Sequence, residues 1–347
     1  ENGRILTKST QYVSEKAIKG KLFPEDSIII ATSATIGEHA LIKVPSLANQ
    51  RFTYLVLKDE FKSSVDMMFI FYYCFKLDEF CKTHLNQGNF ASVDMKQFAE
   101  FKFPLPPLPV QREIVRILDN FTELTAELQE ELQARKKQYE YYKSNLLSFE
   151  TRTPYKSLSD VADVFDSLHQ TPEYIQSGFS MIRVQDIKGA YIDTENTLKV
   201  SKEVFSKFVK KYRPQKDDII VSRVGSYGNF ALVPNDDCCL GQNVAIIHPN
   251  ICKRFLFYIL NSLEVKQWID KNVKGASQKS FSLADIRRIP IPIPSLEEQA
   301  RIVSILDRFD ALCNDLTSGL PAEIEARQKQ YEYYRDKLLS FHPLSQP

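Results

Sequence analysis

The sequence predicts an α+β fold, with two mixed domains of strands and short helices separated by two long helices packed as an antiparallel coiled coil. Three observations predict this architecture: an internal repeat, a heptad pattern of apolar residues in each long helix, and short apolar runs joined by glycine-containing loops elsewhere. The chain has 347 residues, of which 43% are hydrophobic. It is therefore long enough for two or three domains that each bury a core.

The internal repeat defines the order of the domains. Residues 111–121 return as residues 299–309 with 7 of 11 positions identical, and residues 139–149 return as residues 331–341 with 8 of 11 identical. Each helical block therefore follows one variable domain. The predicted boundaries are 1–106 for the first variable domain, 107–150 for the first helix, 151–294 for the second variable domain and 295–347 for the second helix.

The two variable domains correspond more weakly than the helices do. Pro24–Ile30 parallels Pro214–Val221, and Gly37–Leu41 parallels Gly228–Leu232. The second domain begins with about 40 residues that have no counterpart ahead of Glu1. We therefore expect the first domain to be truncated at its N-terminus.

The first long helix is predicted over residues 111–149, which contain neither glycine nor proline. Its apolar side chains follow a 4-3 spacing over about five heptads, which is typical of a paired helix. Proline fixes φ and disfavours a helix before it. Pro104–Pro109 and Ile289–Pro294, which precede the two helices, are therefore predicted to be stiff, extended lead-ins.

The second long helix keeps the heptad spacing, but Gly319 and Pro321 interrupt it next to a four-residue insertion relative to the first helix. Glycine and proline together predict a break or a sharp turn there. The line of apolar side chains at heptad spacing, here called the seam, is long enough to need a partner helix. The simplest partner is the other long helix of the same chain. A coiled-coil homodimer is the alternative.

In the second variable domain, Asp217–Ser222 and Phe230–Val233 are predicted to be strands joined by a hairpin-like loop. A third strand is predicted at Val244–Ile247 and a helix at Phe255–Lys271. The loop over residues 223–229 contains two glycines, which permit a tight turn and a close approach of the backbone to a ligand.

Polar side chains on these loops suit the reading of base edges. Arginine can pair with guanine through two hydrogen bonds, and asparagine or glutamine can do the same with adenine. Residues 201–290 contain 15 basic and 8 acidic side chains, although the whole chain has a net charge of only +1. An anionic partner is therefore expected there. Phosphate contacts are expected from Lys207, Lys210, Lys211 and Arg213. For each loop taken singly, an ordinary hairpin connection is the alternative interpretation.

Several classes of function are disfavoured by what the sequence lacks. It has no Asn/Asp-Pro-Pro-aromatic motif for amino-methylation, no glycine-rich nucleotide loop and no pair of histidines on one helix face. No apolar run reaches the ~18 residues of a membrane span. The six cysteines form no CxxC pair, which favours free thiols in a reducing cytoplasm. A coiled-coil scaffold that does not touch DNA is a stronger alternative than an enzyme.

The chain resembles the specificity subunit of type I restriction-modification systems over nearly its whole length. The resemblance rests on the Gln-x-x-Ile-Val-x-Ile-Leu-Asp-x-Phe opening of both helices, on Gly319–Ile324 and on the two Lys-Gln-Tyr-Glu-Tyr-Tyr segments. It implies a cytoplasmic, non-enzymatic subunit without cofactor or metal, whose two target-recognition domains each read half of a bipartite site in double-stranded DNA. It also implies that the helices dock two methyltransferase subunits and set the spacer length, and that motor-nuclease subunits join this complex. A type IIB-like system shares the layout and remains an alternative.

The resemblance also implies which residues contact DNA. In the second domain they are Arg223, Ser226, Tyr227, Asn229, Gln242, Asn243, Ser277, Gln278 and Lys279 on the loops. Lys210 and Lys211 upstream are added because their charge suits phosphates. In the first domain the matching positions are Thr32, Ser33, Thr35, Asn49, Gln50, Arg51, Gln87 and Asn89.

Overall fold

The structure is a computed structural model that describes residues 4–9, 11–18, 20–86, 91–149, 152–273, 280–315 and 317–341. Contacts between residues divide the chain into two compact units. Unit 1 comprises Glu1–Glu130 and Ala322–Pro347, and unit 2 comprises Glu131–Pro321. In sequence, unit 2 is therefore inserted into unit 1.

Unit 1 contains a four-stranded sheet. Its strands are β1 (Ile5–Leu6), β2 (Ser27–Ala31), β3 (His39–Ile42) and β4 (Phe52–Leu55). Their order across the sheet is β1-β3-β2-β4, with β1 parallel to β3 and the other pairs antiparallel. The β-branched residues Ile28 and Ile30 of the central strand β2 are fully buried, as their side chains fit a pleated surface covered by helix.

Two helices complete this part of unit 1, namely α1 (Met67–Thr83) and α2 (Met95–Glu100). Each follows an aspartate whose carboxylate accepts a hydrogen bond from a free N–H of the first turn. Asp66 accepts from the Met68 N–H at 2.9 Å, and Asp94 accepts from the Lys96 N–H at 2.9 Å. Phe69 on α1 lies in the same buried cluster as Ile28 of β2, so α1 covers the sheet.

The first long helix is α3 (Leu108–Leu146). It begins inside the predicted extended lead-in because Pro109 falls in the first helical turn, where backbone N–H groups have no partner within the helix. It ends three residues before the predicted end at Phe149.

Unit 2 contains nine strands among its described residues. They are β5 (Tyr155–Ser157), β6 (Ala162–Asp166), β7 (Phe179–Ile182), β8 (Leu198–Val200), β9 (Ile219–Ser222), β10 (Phe230–Leu232), β11 (Cys238–Leu240), β12 (Val244–Pro249) and β13 (Pro290–Pro292). They form sheets with the orders β10-β9-β12-β6, β11-β7-β8 and β13-β5. The predicted hairpin and third strand are confirmed, since β9 pairs antiparallel with both β10 and β12.

The helices that follow α3 are α4 (Leu158–Val161), α5 (Lys202–Phe208), α6 (Lys253–Leu260), α7 (Leu263–Asn272), α8 (Leu283–Arg287), α9 (Leu296–Asn314) and α10 (Leu320–Leu338). The prediction of one helix over Phe255–Lys271 was wrong, because α6 and α7 divide this segment. The Ser262 hydroxyl accepts a hydrogen bond from the Val265 N–H at 3.2 Å and so starts a new helix.

The backbone of the two units repeats in detail. Three pairs of equivalent positions have left-handed backbone with φ between 60° and 77°: Asp26 and Asp217, Ala34 and Gly225, and Gly37 and Gly228. The Leu41 N–H donates to the Arg4 carbonyl at 2.7 Å, and the equivalent Leu232 N–H donates to the Ala190 carbonyl at 2.8 Å. These matches support the correspondence between the domains that the sequence predicts.

The long helices pair within the chain, as predicted. In unit 1, the rings of Phe121 on α3 and Tyr334 on α10 stack with centroids 5.5 Å apart. In unit 2, Phe309 on α9 stacks with Tyr139 and Tyr142 on α3 at 5.9 and 5.5 Å. In unit 2, Phe309 contacts Tyr139 and Tyr142, whereas the later residue Cys313 lies near Arg135 and Lys136, so residue numbers fall on α3 as they rise on α9 and this pairing is antiparallel.

The predicted break in the second helix is confirmed. α9 ends at Asn314 and α10 begins at Leu320. The Gly319 N–H donates to the Asp315 carbonyl at 3.0 Å. The Asp315 carboxylate accepts hydrogen bonds from the Thr317 N–H at 2.7 Å and from the Ser318 hydroxyl at 2.5 Å. The turn is therefore a hydrogen-bonded structure of its own.

Candidate nucleic-acid interface

In unit 2, the backbone of Arg223 joins the segments that carry predicted DNA contacts, namely a first loop at residues 223–229, a second loop at residues 242–243 and the chain directly after a third loop at residues 274–280. The Arg223 N–H donates to the Asn243 carbonyl at 2.9 Å, which joins the first loop to the second. The Arg223 carbonyl accepts from the Phe281 N–H at 2.7 Å, which joins the first loop to the chain that follows the third. The backbone at one residue therefore holds together segments that are far apart in sequence.

Unit 1 repeats this junction at Thr32, the residue equivalent to Arg223. The Thr32 N–H donates to the Arg51 carbonyl at 2.9 Å, and the Thr32 carbonyl accepts from the Val93 N–H at 2.9 Å. The side chain of Thr32 is buried and bonds to the Arg51 carbonyl at 3.3 Å. At this position the first domain therefore carries a buried hydroxyl where the second carries a guanidinium.

The loop over residues 223–229 holds its shape through its own hydrogen bonds. The Asn229 side-chain amide donates to the Ser226 carbonyl at 3.1 Å, and the Ser222 hydroxyl donates to the same carbonyl at 2.5 Å. Tyr227 packs against the hydrophobic core of unit 2. Two of the predicted DNA-contacting side chains, Asn229 and Tyr227, therefore also shape the loop, while Ser226 is exposed.

Arg223 is held more tightly than the sequence suggests. Its side chain is 14% exposed and forms an ion pair with Asp166 on β6. Its Nε also donates to the Phe281 carbonyl at 3.2 Å. Asp166 in turn lies 3.1 Å from Nε2 of His169. This guanidinium therefore braces the junction of the loops.

A polar cleft lies beside this junction. Gln242 is exposed and donates to the Thr171 hydroxyl at 3.2 Å, and Asn243 has left-handed backbone with φ of 62°. The lining side chains are rich in amide, hydroxyl and guanidinium groups: Gln170, Thr171, Tyr174, Arg183, Gln185, Ser226, Gln242 and Asn243. Five of these, from Gln170 to Gln185, were missed by the sequence analysis. Their segment occurs in only one copy of the repeat, and its polar composition was the only available signal.

The basic candidates of unit 2 differ in their surroundings. Lys210 and Lys211 are exposed, and Lys211 lines a second cleft together with Lys207 and the buried Ser167. Arg213 instead pairs with Asp236 at 3.2 Å and Asp237 at 3.5 Å. Two carboxylates therefore already compensate the charge of Arg213.

The candidates of unit 1 are split between exposed and structural positions. Thr35, Gln50 and Arg51 are exposed. Asn49 accepts a hydrogen bond from the Arg51 N–H at 3.0 Å, and Ser33 pairs with Ser92 in an isolated β-bridge. The remaining candidates of both units lie outside the residues that the structure describes, namely Gln87 and Asn89 in unit 1 and Ser277, Gln278 and Lys279 in unit 2.

A separate apolar groove runs along the paired helices of unit 1. Its apolar lining consists of Pro109, Val110, Ile114, Ile117 and Phe121 on α3, with Tyr334, Leu338 and Phe341 at the end of the chain. Val110 is 45% exposed and Tyr334 37% exposed. An exposed apolar surface of this kind is typical of a protein-docking site.

In the described part of the chain, no helix is both long and apolar enough to cross a membrane. All six cysteines are free thiols, of which Cys252 is exposed and the other five are buried.

Comparison with known proteins identifies the family. The model of the type I restriction modification DNA specificity domain matches residues 1–135 and 155–326. The EcoprrI specificity subunit of Escherichia coli is 37% identical over 339 residues, covering 91% of this chain and 79% of that protein. The EcoR124I/EcoR124II specificity subunit of Escherichia coli is 35% identical over 278 residues, covering 73% of this chain and 68% of that protein.

The fold is also found among solved structures. The HsdS subunit of Thermoanaerobacter tengcongensis superposes with a TM-score of 0.53 at 18% identity, covering 93% of this chain and 84% of that one. The family match spans both units, and the two curated relatives exceed 30% identity over most of this chain. The chain therefore belongs to the family of type I restriction-modification specificity subunits, which are the non-catalytic DNA-recognition components of their systems.

Proposed function

We propose that each unit reads one half of a bipartite DNA target with its junction of three loops, and that the paired helices dock methyltransferase subunits. The observation that carries this proposal is the repeated junction. The same two backbone hydrogen bonds unite the loops at Arg223 and at Thr32, with lengths between 2.7 and 2.9 Å. Two equivalent junctions with different side chains suit a protein that reads two different sequences.

In unit 2, we propose that the polar cleft presents the base-reading groups. Gln242 and Asn243 lie beside Arg183 and Gln185 in its lining. Amide side chains can bond both edge atoms of adenine, and a guanidinium can bond both acceptors of guanine. Lys210 and Lys211 are exposed, so they are assigned to phosphates, whose contacts set position rather than sequence.

In unit 1, we assign contact with DNA to the exposed side chains of Thr35, Gln50 and Arg51. Ser33, Asn49 and the buried Thr32 would hold these side chains in place. The candidate side chains on the third loop of each unit remain predicted DNA contacts.

We further propose that two methyltransferase subunits dock on the helices. The apolar groove of unit 1 supplies one face. In unit 1, this groove includes the stacked rings of Phe121 and Tyr334, whose centroids are 5.5 Å apart. Unit 2 has the equivalent stacked pair, Phe309 and Tyr142, with the same centroid distance of 5.5 Å. Two equivalent faces suit two copies of one partner, and motor-nuclease subunits would join the complex so formed.

The test is selection from a random DNA library by the purified complex of this chain with its methyltransferase partner. A sequence of two specific halves separated by a non-specific spacer should be enriched. Gln242→Ala should lower the discrimination between bases at one position of one half-site by about 1–3 kcal/mol, because it removes a side chain that can form two hydrogen bonds to a base. Gln215→Ala, which removes an exposed amide outside the cleft, is the matched control. Enrichment of no sequence, or of one uninterrupted sequence, would contradict the proposal.

A further inference from the structure

The helical motif Ile-Leu-Asp-x-Phe contains one residue that the heptad seam does not explain. Its apolar members Leu118 and Leu306 are fully buried in the cores of their units. Its aspartates, Asp119 and Asp307, are half-buried and do not occupy seam positions. In each unit this carboxylate bonds to a tyrosine from the recognition domain.

We infer that these tyrosine–aspartate pairs are positioning latches, each of which fixes the angle of a recognition domain on the long helix that follows it. The inference deepens the proposed function and rests on it, because the angle matters only if the two domains must meet two half-sites at once. Asp119, Asp307, Tyr72 and Tyr258 are thereby positioning residues for DNA recognition and do not themselves contact DNA.

In unit 1 the latch joins α1 to α3. The Tyr72 hydroxyl donates to Oδ1 of Asp119 at 2.6 Å, and Tyr72 is only 3% exposed. Burial raises the pKa of Tyr72 well above its ordinary value, and the hydrogen bond to Asp119 raises it further. The phenol therefore remains a proton donor to the carboxylate at neutral pH.

In unit 2 the latch joins α6 to α9. The Tyr258 hydroxyl donates to Oδ1 of Asp307 at 2.5 Å, and Tyr258 is 2% exposed. The sequence Phe69-Ile-Phe-Tyr72 corresponds to Phe255-Leu-Phe-Tyr258, so the two tyrosines are equivalent residues. The same bond is thus built independently in both halves of the repeat.

The latch of unit 2 has an additional cation. Arg254 donates to Oδ1 of Asp307 from Nη2 at 2.6 Å and from Nε at 3.1 Å. Unit 1 has Met68 at the equivalent position. Because Asp307 accepts these charge-assisted hydrogen bonds in addition to the bond from Tyr258, the latch of unit 2 is the stronger of the two.

A directional bond supplies what the surrounding apolar contacts do not. Dispersion and hydrophobic contacts tolerate small sliding movements, because they depend on buried area more than on angle. A hydroxyl that donates to one carboxylate oxygen loses its bond when the geometry changes. One such bond at the junction of domain and helix therefore restrains rotation of the domain.

The test is the spacer preference of the complex with the methyltransferase partner. The two half-sites are kept fixed and the spacer is varied one base pair at a time. Tyr258→Phe removes the hydroxyl and keeps the ring. The ratio of affinities between the best spacer and its neighbours should fall at least about five-fold, the effect of losing one net hydrogen bond, because the Tyr258 hydroxyl also accepts a bond from Nη2 of Arg254 at 3.1 Å. The half-site sequences should be unchanged. Asp307→Asn should have a larger effect than Asp119→Asn, since it also removes the charge of the carboxylate that accepts two hydrogen bonds from Arg254.

Two controls distinguish positioning from stability. Ile247→Val removes a methylene from the buried strand β12, and so lowers stability while leaving the latch intact. Tyr12→Phe removes a hydroxyl from an exposed tyrosine. A broader spacer preference in Tyr258→Phe, together with an unchanged spacer preference in Ile247→Val, supports the latch. Equal spacer profiles for Tyr258→Phe and the original chain overturn it, while absence of any sequence preference in the original chain overturns the proposed function and the latch together.

Discussion

Arg223 and Asp166 place opposite charges next to the polar cleft of unit 2. Their side chains are 14% and 25% exposed, so water only partly screens their attraction. While the pair is intact, the carboxylate cancels most of the pull that the guanidinium would exert on a phosphate. We therefore expect the pair to limit binding to DNA of arbitrary sequence.

Substitutions at these two residues should have opposite effects. Asp166→Asn should strengthen binding to non-specific duplex and raise the salt slope by about one, because it releases one positive charge. Arg223→Ala should weaken binding, because it leaves a carboxylate facing a polyanion. Titrations of the complex with a non-specific duplex at several salt concentrations measure both. Asp163→Asn makes the same charge change on the same strand at an exposed position. An equal change in non-specific affinity and salt slope from Asp163→Asn would contradict a special role of the Arg223–Asp166 pair.

At the scale of elements, the turn between α9 and α10 depends on Gly319. A Cβ atom at this position would lie 2.5 Å from the Ala311 carbonyl oxygen and 2.7 Å from that of Asp315, and neither backbone atom can easily move. Gly319→Ala should therefore lower the free energy of unfolding by about 1–3 kcal/mol. Chemical denaturation measures the loss. Gly189→Ala, where a Cβ would meet open space, is the matched control, and equal losses in the two variants would exclude the steric explanation.

The same turn should give the protein a pH dependence. Hydrogen bonds from the side chains of Ser318 and Thr317 hold the pKa of Asp315 at about 2, below its ordinary value of 3.8. Since folding lowers this pKa, the stabilisation is fully present above about pH 4 and is lost as the pH falls towards 2. Thermal unfolding of Asp315→Ala and of the original chain should therefore differ at pH 5 and converge near pH 2. A difference that persists at pH 2 would show that the charge is not involved.

At the scale of the whole molecule, we expect the long helices to set the distance between the half-sites. Inserting four residues after Leu128 adds about 6 Å of helix and rotates it by about 400°, close to one full turn, so the seam nearly keeps its face. The preferred spacer should lengthen by about two base pairs, at roughly 3.4 Å each, with both half-sites unchanged. Two inserted residues rotate the seam by about 200° and should disrupt the pairing instead.

The measurement is the modification pattern of the variant complex on targets with different spacer lengths. After the four-residue insertion, the stretch between the repeated blocks has equal length in both helices. An unchanged spacer preference would mean that the helices hold the domains without setting their distance.

The sequence predicted the repeated parts of this molecule well, because each pattern could be checked against a second copy. The loops equivalent to residues 223–229 and the seam of α3 are examples. The five cleft residues from Gln170 to Gln185 were missed because their segment occurs once. The boundaries of the recognition domains at residues 106, 150 and 294 remain predictions.

Side-chain roles were harder to predict than positions. Arg223 pairs with a residue 57 positions away, and the burial of Thr32 depends on strand β4 and on the segment before α2. Neither partner can be identified from local pattern. The helix at Phe255–Lys271 was predicted as one, but α6 ends at Leu260 and the Ser262 hydroxyl caps the start of α7.

The insertion of unit 2 within unit 1 has a consequence for the order in which the chain folds during its synthesis. Unit 2 is continuous and complete once Pro321 has been made. Unit 1 needs Leu339, which is 1% exposed and lies in the same core as Ile28 and Phe69. Chains fold from their N-terminus as they emerge from the ribosome where the contacts allow it. We therefore expect unit 1, the half that is translated first, to complete its core only after unit 2 has folded.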